Sequence, residues 1–269
     1  MNRDSNDKLI SVDLQAQFGF LKKPDINEGI YLTYNVLHKP ALLGILGAII
    51  GLDGYRIEGA MKPTDIPEYR EKLGDLKVAI QPKNSANGNF SKQVIKYTNT
   101  VGYASEEQGG VLIVDEQTLI KPCYRIFLFL DVENNKLHQE LFEKLKNQEA
   151  EYIPYLGKND HQLWWDENSF QEWIVTDANY KPSEYFRLNS IFQKVSEERT
   201  KREERRKGLG MTFGSFVYFE RLPISWHSEL PHYQLQEFIF TDFPVSPENG
   251  LENLLKIKNQ EEEIVIQIF

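Results

Sequence analysis

The twelve residues from Ala41 to Leu52 carry no charge and are apolar on every side. A helix built from them has no face it can leave in water, so it must be enclosed by the rest of the chain. Crossing a bilayer takes roughly 20 such residues, which excludes a membrane span here. Pro40 suits a first helical turn, where its missing N–H is not needed, and it predicts a helix opening there and running to Gly51. Gly44, Gly47 and Gly51 recur at spacings of three and four. Each glycine costs about 1 kcal/mol relative to alanine in a helix, so the stripe predicts a face that a sheet or another backbone approaches closely.

The elements around this helix follow from periodicity. From Ile10 to Phe20 apolar residues alternate with Ser11, Asp13, Gln15, Gln17 and Gly19, the period of a half-buried strand. Gln93 to Tyr103 and Val111 to Ile120 read as the arms of a long hairpin that turns at Glu106–Gly110. Tyr124 to Leu130 reads as a central strand. Asn134-Asn135 then caps a helix with Leu137, Leu141 and Leu145 on one face. A closing strand near Glu151–Tyr155 completes a split βαβ arrangement, an α+β, ferredoxin-like domain over residues 1–160. Its inserted hairpin occupies about 77–121. Residues 161–269 read as a smaller, mainly β lobe, with strands at Phe216–Phe219, Gln236–Phe240 and Ile264–Phe269. Trp164, Trp165 and Trp173 alternate with acids there and look exposed.

Composition excludes several functions. The net charge of −9 argues against a protein that coats nucleic acid through a bulk positive field. One cysteine, Cys123, allows no internal disulfide, and the first residues lack a secretory apolar stretch, so a cytoplasmic location is expected. No phosphate-binding glycine fingerprint, no zinc spacing among the five histidines and no nucleophile elbow occurs. Neither a cofactor nor a metal is expected.

Against that background the basic residues are segregated. Leu76 to Ser105 holds four lysines and no acid, and Arg199 to Lys207 packs six basic residues against two glutamates. Three patches combine cations with rings and amides. Lys22, Lys23, Tyr34, Asn35, His38 and Lys39 surround the start of the apolar helix, whose unpaired N–H groups favour an anion. Lys92, Lys96, Tyr97 and Tyr103 lie on the hairpin, where bases can stack. Arg205, Arg206 and Lys207 lead through a Gly-x-Gly turn to Met211. On charge alone, solvated loops and an ordinary exposed β-arm account for the same pattern.

Three stretches carry a resemblance: Tyr31-Leu32-Thr33-Tyr34-Asn35, then His38-Lys39-Pro40 through Ile49, and Tyr152-Ile153-Pro154-Tyr155-Leu156-Gly157-Lys158-Asn159. They resemble the Cas-five family of CRISPR-associated proteins within the RAMP superfamily, and members from type I-B systems in particular. The resemblance implies an RNA-recognition-motif-like domain with a β-hairpin thumb and a small β lobe behind it. It implies a structural subunit of the Cascade antiviral surveillance complex that caps the crRNA 5′ handle. Its partners would be a Cas-seven-type backbone subunit and the Cascade large subunit, with target DNA near its flanking motif as a further candidate contact. One branch of the family cuts precursor RNA with tyrosine, lysine and adjacent histidine. The corresponding segment here, Leu119 to Tyr124, has no histidine, which implies a non-catalytic subunit. The alternative is a metal-independent endoribonuclease using Tyr34, His38 and Lys39.

Overall fold

The computed structural model describes residues 7–25, 29–54, 66–193, 214–227, 232–248 and 250–269. The chain is mixed α/β and rich in strands. Its long elements, in chain order, are β1 (Asp7–Ala16), α1 (Lys39–Ile49), α2 (Glu68–Leu73), β2 (Val78–Lys83), β3 (Lys92–Asn99), β4 (Leu112–Ile120), β5 (Cys123–Asp131), α3 (Lys136–Lys146), β6 (Gln171–Asp177), β7 (Val217–Trp226), β8 (Tyr233–Thr241), β9 (Leu254–Lys258) and β10 (Glu263–Gln267).

The principal sheet runs β10–β9–β6–β1–β5–β2, every neighbouring pair antiparallel. One face packs on α1 and α3 through Ile10, Val12, Leu14, Ile126, Leu128, Leu42, Leu46 and Leu141, all fully buried. The opposite face is only half open. Ser11, expected on the half-open face, is buried together with Leu9 beside Trp173, whose Nε1 donates to the Ser11 hydroxyl at 2.9 Å. Strands β9 and β10 cover the same end through Leu255, Ile257 and Ile266. Just beyond β10, Phe269 exchanges both backbone hydrogen bonds with Val78 of β2, at 3.0 and 3.2 Å, and Ile191 N–H donates to Ile80. The two ends of the sheet thus meet.

Helix α1 starts as expected, with His38 as its cap and Pro40 in its first turn, but it stops at Ile49. Gly51 lies outside it at a φ of +76°. The glycine stripe receives a side chain rather than a strand. A Cβ on Gly47 would stand 2.5 Å from the Cβ of Tyr69 in α2.

Five further expectations need correction. Glu151–Tyr155 is not a strand, because the N–H groups of Glu151 and Tyr152 donate to the Ile49 and Ala48 carbonyls at the end of α1. The place beside β1 is taken by the short strand Leu163–Trp164 and by β6. The inserted segment from about 77 begins with a strand of the principal sheet, since Val78, Ala79 and Ile80 are apolar and buried; the projecting hairpin is β3 and β4 alone. Its first arm ends at Asn99, and Tyr103 sits in a 3-10 turn over Gly102–Glu106. Trp165 and Trp173 are buried, leaving Trp164 at 38% exposure. Residues of the second half serve two sheets: β6, β9 and β10 join the principal one, while β7 and β8 form a three-stranded sheet with Phe192–Gln193 that packs on α1.

Candidate nucleic-acid interface

The patch expected around the start of α1 is largely turned inward. Asn35 is buried: its Nδ2 donates to the Gly88 carbonyl at 2.8 Å, and its Oδ1 accepts from Phe90 N–H at 2.9 Å and from Lys92 Nζ at 3.0 Å. The backbone N–H groups of Asn35 and Val36 donate to the carboxylate of Glu220, from β7, at 3.0 to 3.1 Å. Lys23 Nζ lies 3.2 Å from the same carboxylate. An anion does occupy this turn, and it is the chain's own. Tyr34 is buried alongside, and its phenol is pushed up to about 12 by burial first and then by Asp25 and Glu220. Burial also holds Lys92 below the ordinary lysine value.

His38 is enclosed between the rings of Tyr34 and Tyr233. Its Nδ1 accepts from Ala41 N–H at 3.2 Å, satisfying an N–H group at the start of the helix. Burial lowers its pKa to about 3. Lys39 reaches the Phe269 carbonyl at 3.3 Å and is also held below its ordinary value by burial. The neutral His38 has a thermodynamic consequence. Below pH 6.5 the unfolded chain binds a proton that the folded chain does not. Stability from this site is complete above pH 6.5 and falls by about 1.4 kcal/mol per pH unit between 6.5 and 3. His38→Asn keeps a capping oxygen and removes the titration, so urea midpoints measured from pH 7 to 4 are expected to fall less steeply than in the parent protein. Equal slopes would disprove the assignment.

The hairpin is where cations and rings face water. It is held at its base by two short strands, Phe18–Gly19 antiparallel and Ile30–Tyr31 parallel to β4. Lys22 lies over the Tyr31 ring at 4.0 Å, and Lys158 over the Tyr97 ring at 4.8 Å. Glu116, buried beneath, accepts from Lys158 at 3.0 and 3.2 Å and from the Tyr97 hydroxyl at 3.4 Å. Burial and Glu116 together raise the Tyr97 phenol. Lys96 pairs loosely with Asp115 at 3.4 Å. At the tip Tyr103 is 88% exposed, beside Val101 at 77%.

Of the residues singled out in the sequence, Lys22, Lys96 and Tyr97 gather on the hairpin and its root, and Tyr103 stands at its tip. Lys23, Tyr34, Asn35 and Lys92 form the Glu220 network, and His38 and Lys39 start α1. Arg205, Arg206, Lys207 and Met211 lie outside the described residues. Sequence reasoning missed Glu220 and Glu116, which no local pattern marks. It also gave no site role to Tyr31 and Lys158, although both fall within quoted motifs.

No protein-family model matches the chain, and no curated protein matches its sequence. Among solved structures, a CRISPR RNA-guided surveillance complex is similar, at 12% identity and a TM-score of 0.46 over 88% of this chain and 91% of that one. A CRISPR protein from Archaeoglobus fulgidus is similar at 13% identity and a TM-score of 0.45 over 96% and 98%. A type III-B Cmr-beta complex bound to cognate target RNA and AMPPnP is similar at 8% identity and a TM-score of 0.45 over 97% and 99%. No helix among the described residues is long and apolar enough to cross a membrane.

Proposed function

We propose that this chain is a non-catalytic subunit of a type I-B CRISPR surveillance complex that grips the 5′ handle of the guide RNA. The reading combines the motifs of the Cas-five family with one structural observation: a projecting hairpin that exposes Lys96, Tyr97 and Tyr103, with Lys22 at its root. In it, the strands β1, β2, β5 and β6 with α1 and α3 make the ferredoxin-like, RNA-recognition-type domain, and β3–β4 is the thumb. Lysines neutralise phosphates, and ring faces stack on unpaired bases, the two contributions that hold single-stranded nucleic acid. A backbone subunit of the Cas-seven type and the large subunit are the partners in this reading. His38, buried between two tyrosine rings with its Nδ1 committed to the helix cap, is poorly placed to reach a ribose hydroxyl, and this favours binding over cleavage.

Fluorescence anisotropy with handle RNA tests the reading on the full chain. Tyr103→Ala is expected to weaken binding by about 1 to 3 kcal/mol, because Tyr103 has little folded structure to support. Changing Lys22 and Lys96 to glutamine is expected to flatten the plot of log affinity against log salt by about 0.7 per lysine. Unaltered affinity and slope would disprove it.

A further inference from the structure

A second surface has the opposite character. Tyr155 bridges Gln162, and Leu163 N–H donates to the Pro154 carbonyl at 2.9 Å, so residues 153–155 and 162–164 run as a short antiparallel ribbon. Its side chains alternate. Pro154, Leu156 and Leu163 are buried, while Ile153, Tyr155 and Trp164 are 70%, 46% and 38% exposed. In this register Ile153 falls opposite Trp164, so the three large apolar groups share the outer face. The ribbon is tied to the principal sheet, since Trp164 pairs with Gln15 of β1 and Gln15 Nε2 donates to Asp166 at 3.1 Å.

Around this apolar centre stand Glu149, Glu151, Asp160, Asp166 and Glu167, all exposed. Lys158 is the one lysine or arginine between positions 149 and 167; its ammonium is turned to the buried Glu116 and lies 3.8 Å from Asp160, while Lys144 lies 3.6 Å from Glu151, so Glu149, Asp166 and Glu167 carry the rim's uncompensated charge. Tryptophan and tyrosine surrounded by polar groups are the composition of a protein interface centre. The acidic rim repels a phosphate chain and equally repels a second copy of itself. We infer that this face docks a partner protein whose own contact surface has an apolar centre bordered by lysine and arginine. It does not rest on the RNA-gripping reading and is tested separately from it.

The test places p-benzoyl-phenylalanine at position 155 of the full chain in its native host and irradiates the cells. The expected result is one discrete protein adduct whose cross-linked peptide is rich in lysine and arginine. Its yield should fall at least tenfold in Trp164→Glu and in the double variant Asp160→Lys/Glu167→Lys. The double variant changes only exposed side chains, so retained circular dichroism and thermal midpoint show that a lost adduct is not unfolding. An adduct to RNA, an adduct to a second copy, no adduct, or a protein adduct indifferent to the charge reversal would each overturn the inference. If the parent chain fails to bind handle RNA but gives the charge-dependent protein adduct, the RNA reading fails and this one survives.

Discussion

Replacing Glu220 with alanine is expected to cost about 3 to 5 kcal/mol of folding stability. The carboxylate is 8% exposed and accepts from two backbone N–H groups, those of Asn35 and Val36, while Lys23 sits 3.2 Å away. Removing it leaves two enclosed donors and a half-buried ammonium without an acceptor, and each such loss carries the full desolvation cost of the stranded group. The effect should spread through Asn35, whose side chain also holds Phe90 and Lys92 and whose carbonyl accepts from the Tyr124 hydroxyl at 2.6 Å. Glu220→Gln keeps an acceptor oxygen and is expected to lose less than half as much. Urea unfolding of the two variants measures the difference. A loss below about 1 kcal/mol in the alanine variant would show that water replaces the carboxylate without penalty.

Gly157→Ala is the second large effect. The residue adopts a φ of +88°, and a Cβ there would lie 1.7 Å from the carbonyl oxygen of Phe20 and 2.6 Å from its carbon. Both obstacles are backbone, and Phe20 is itself held by its N–H donating to the Leu156 carbonyl at 3.0 Å. The two segments cannot both stay in place, and the expected cost is about 3 to 5 kcal/mol, a fall in thermal midpoint of roughly 10 °C. Gly109→Ala is the matched comparison. Its φ of +85° is similar but nothing lies within 4 Å of the added carbon, so only the dihedral strain of about 1 kcal/mol is expected. Comparable losses at the two positions would refute the close-approach explanation.

What could be read from the sequence was what is local. Pro40 and the apolar run located α1, Asn135 and the leucine spacing located α3, and the turn residues Glu106–Gly110 located the hairpin, though its first arm was drawn four residues too long, because caps, turns and periodicity depend on residues a few positions apart. The closing strand was misplaced because the fate of Glu151–Tyr155 is decided by carbonyls at the end of α1, about a hundred residues earlier. The anion expected on the N–H groups at the start of α1 is not there: His38 caps Ala41 N–H, and the carboxylate of Glu220 sits a few residues upstream on the N–H groups of Asn35 and Val36. That charge arrives from about 185 residues away, and nothing around Glu220 in sequence signals its destination. Likewise, Asn35 and His38 have the composition of a binding residue and the environment of a structural one. Residue type expresses what a side chain can bond to, whereas burial determines which of those partners it meets.

The meeting of Val78 with Phe269 sets a condition on how the molecule is made. Emerging from a ribosome, the chain can assemble α1, the hairpin and β5 early, yet its principal sheet keeps an unzipped seam until the last strand is released. Contacts this distant in sequence are slow to close. A nascent chain stalled before residue 254 would therefore leave the apolar edge of β2 at Val78 without its partner, open to a chaperone or to a neighbouring copy.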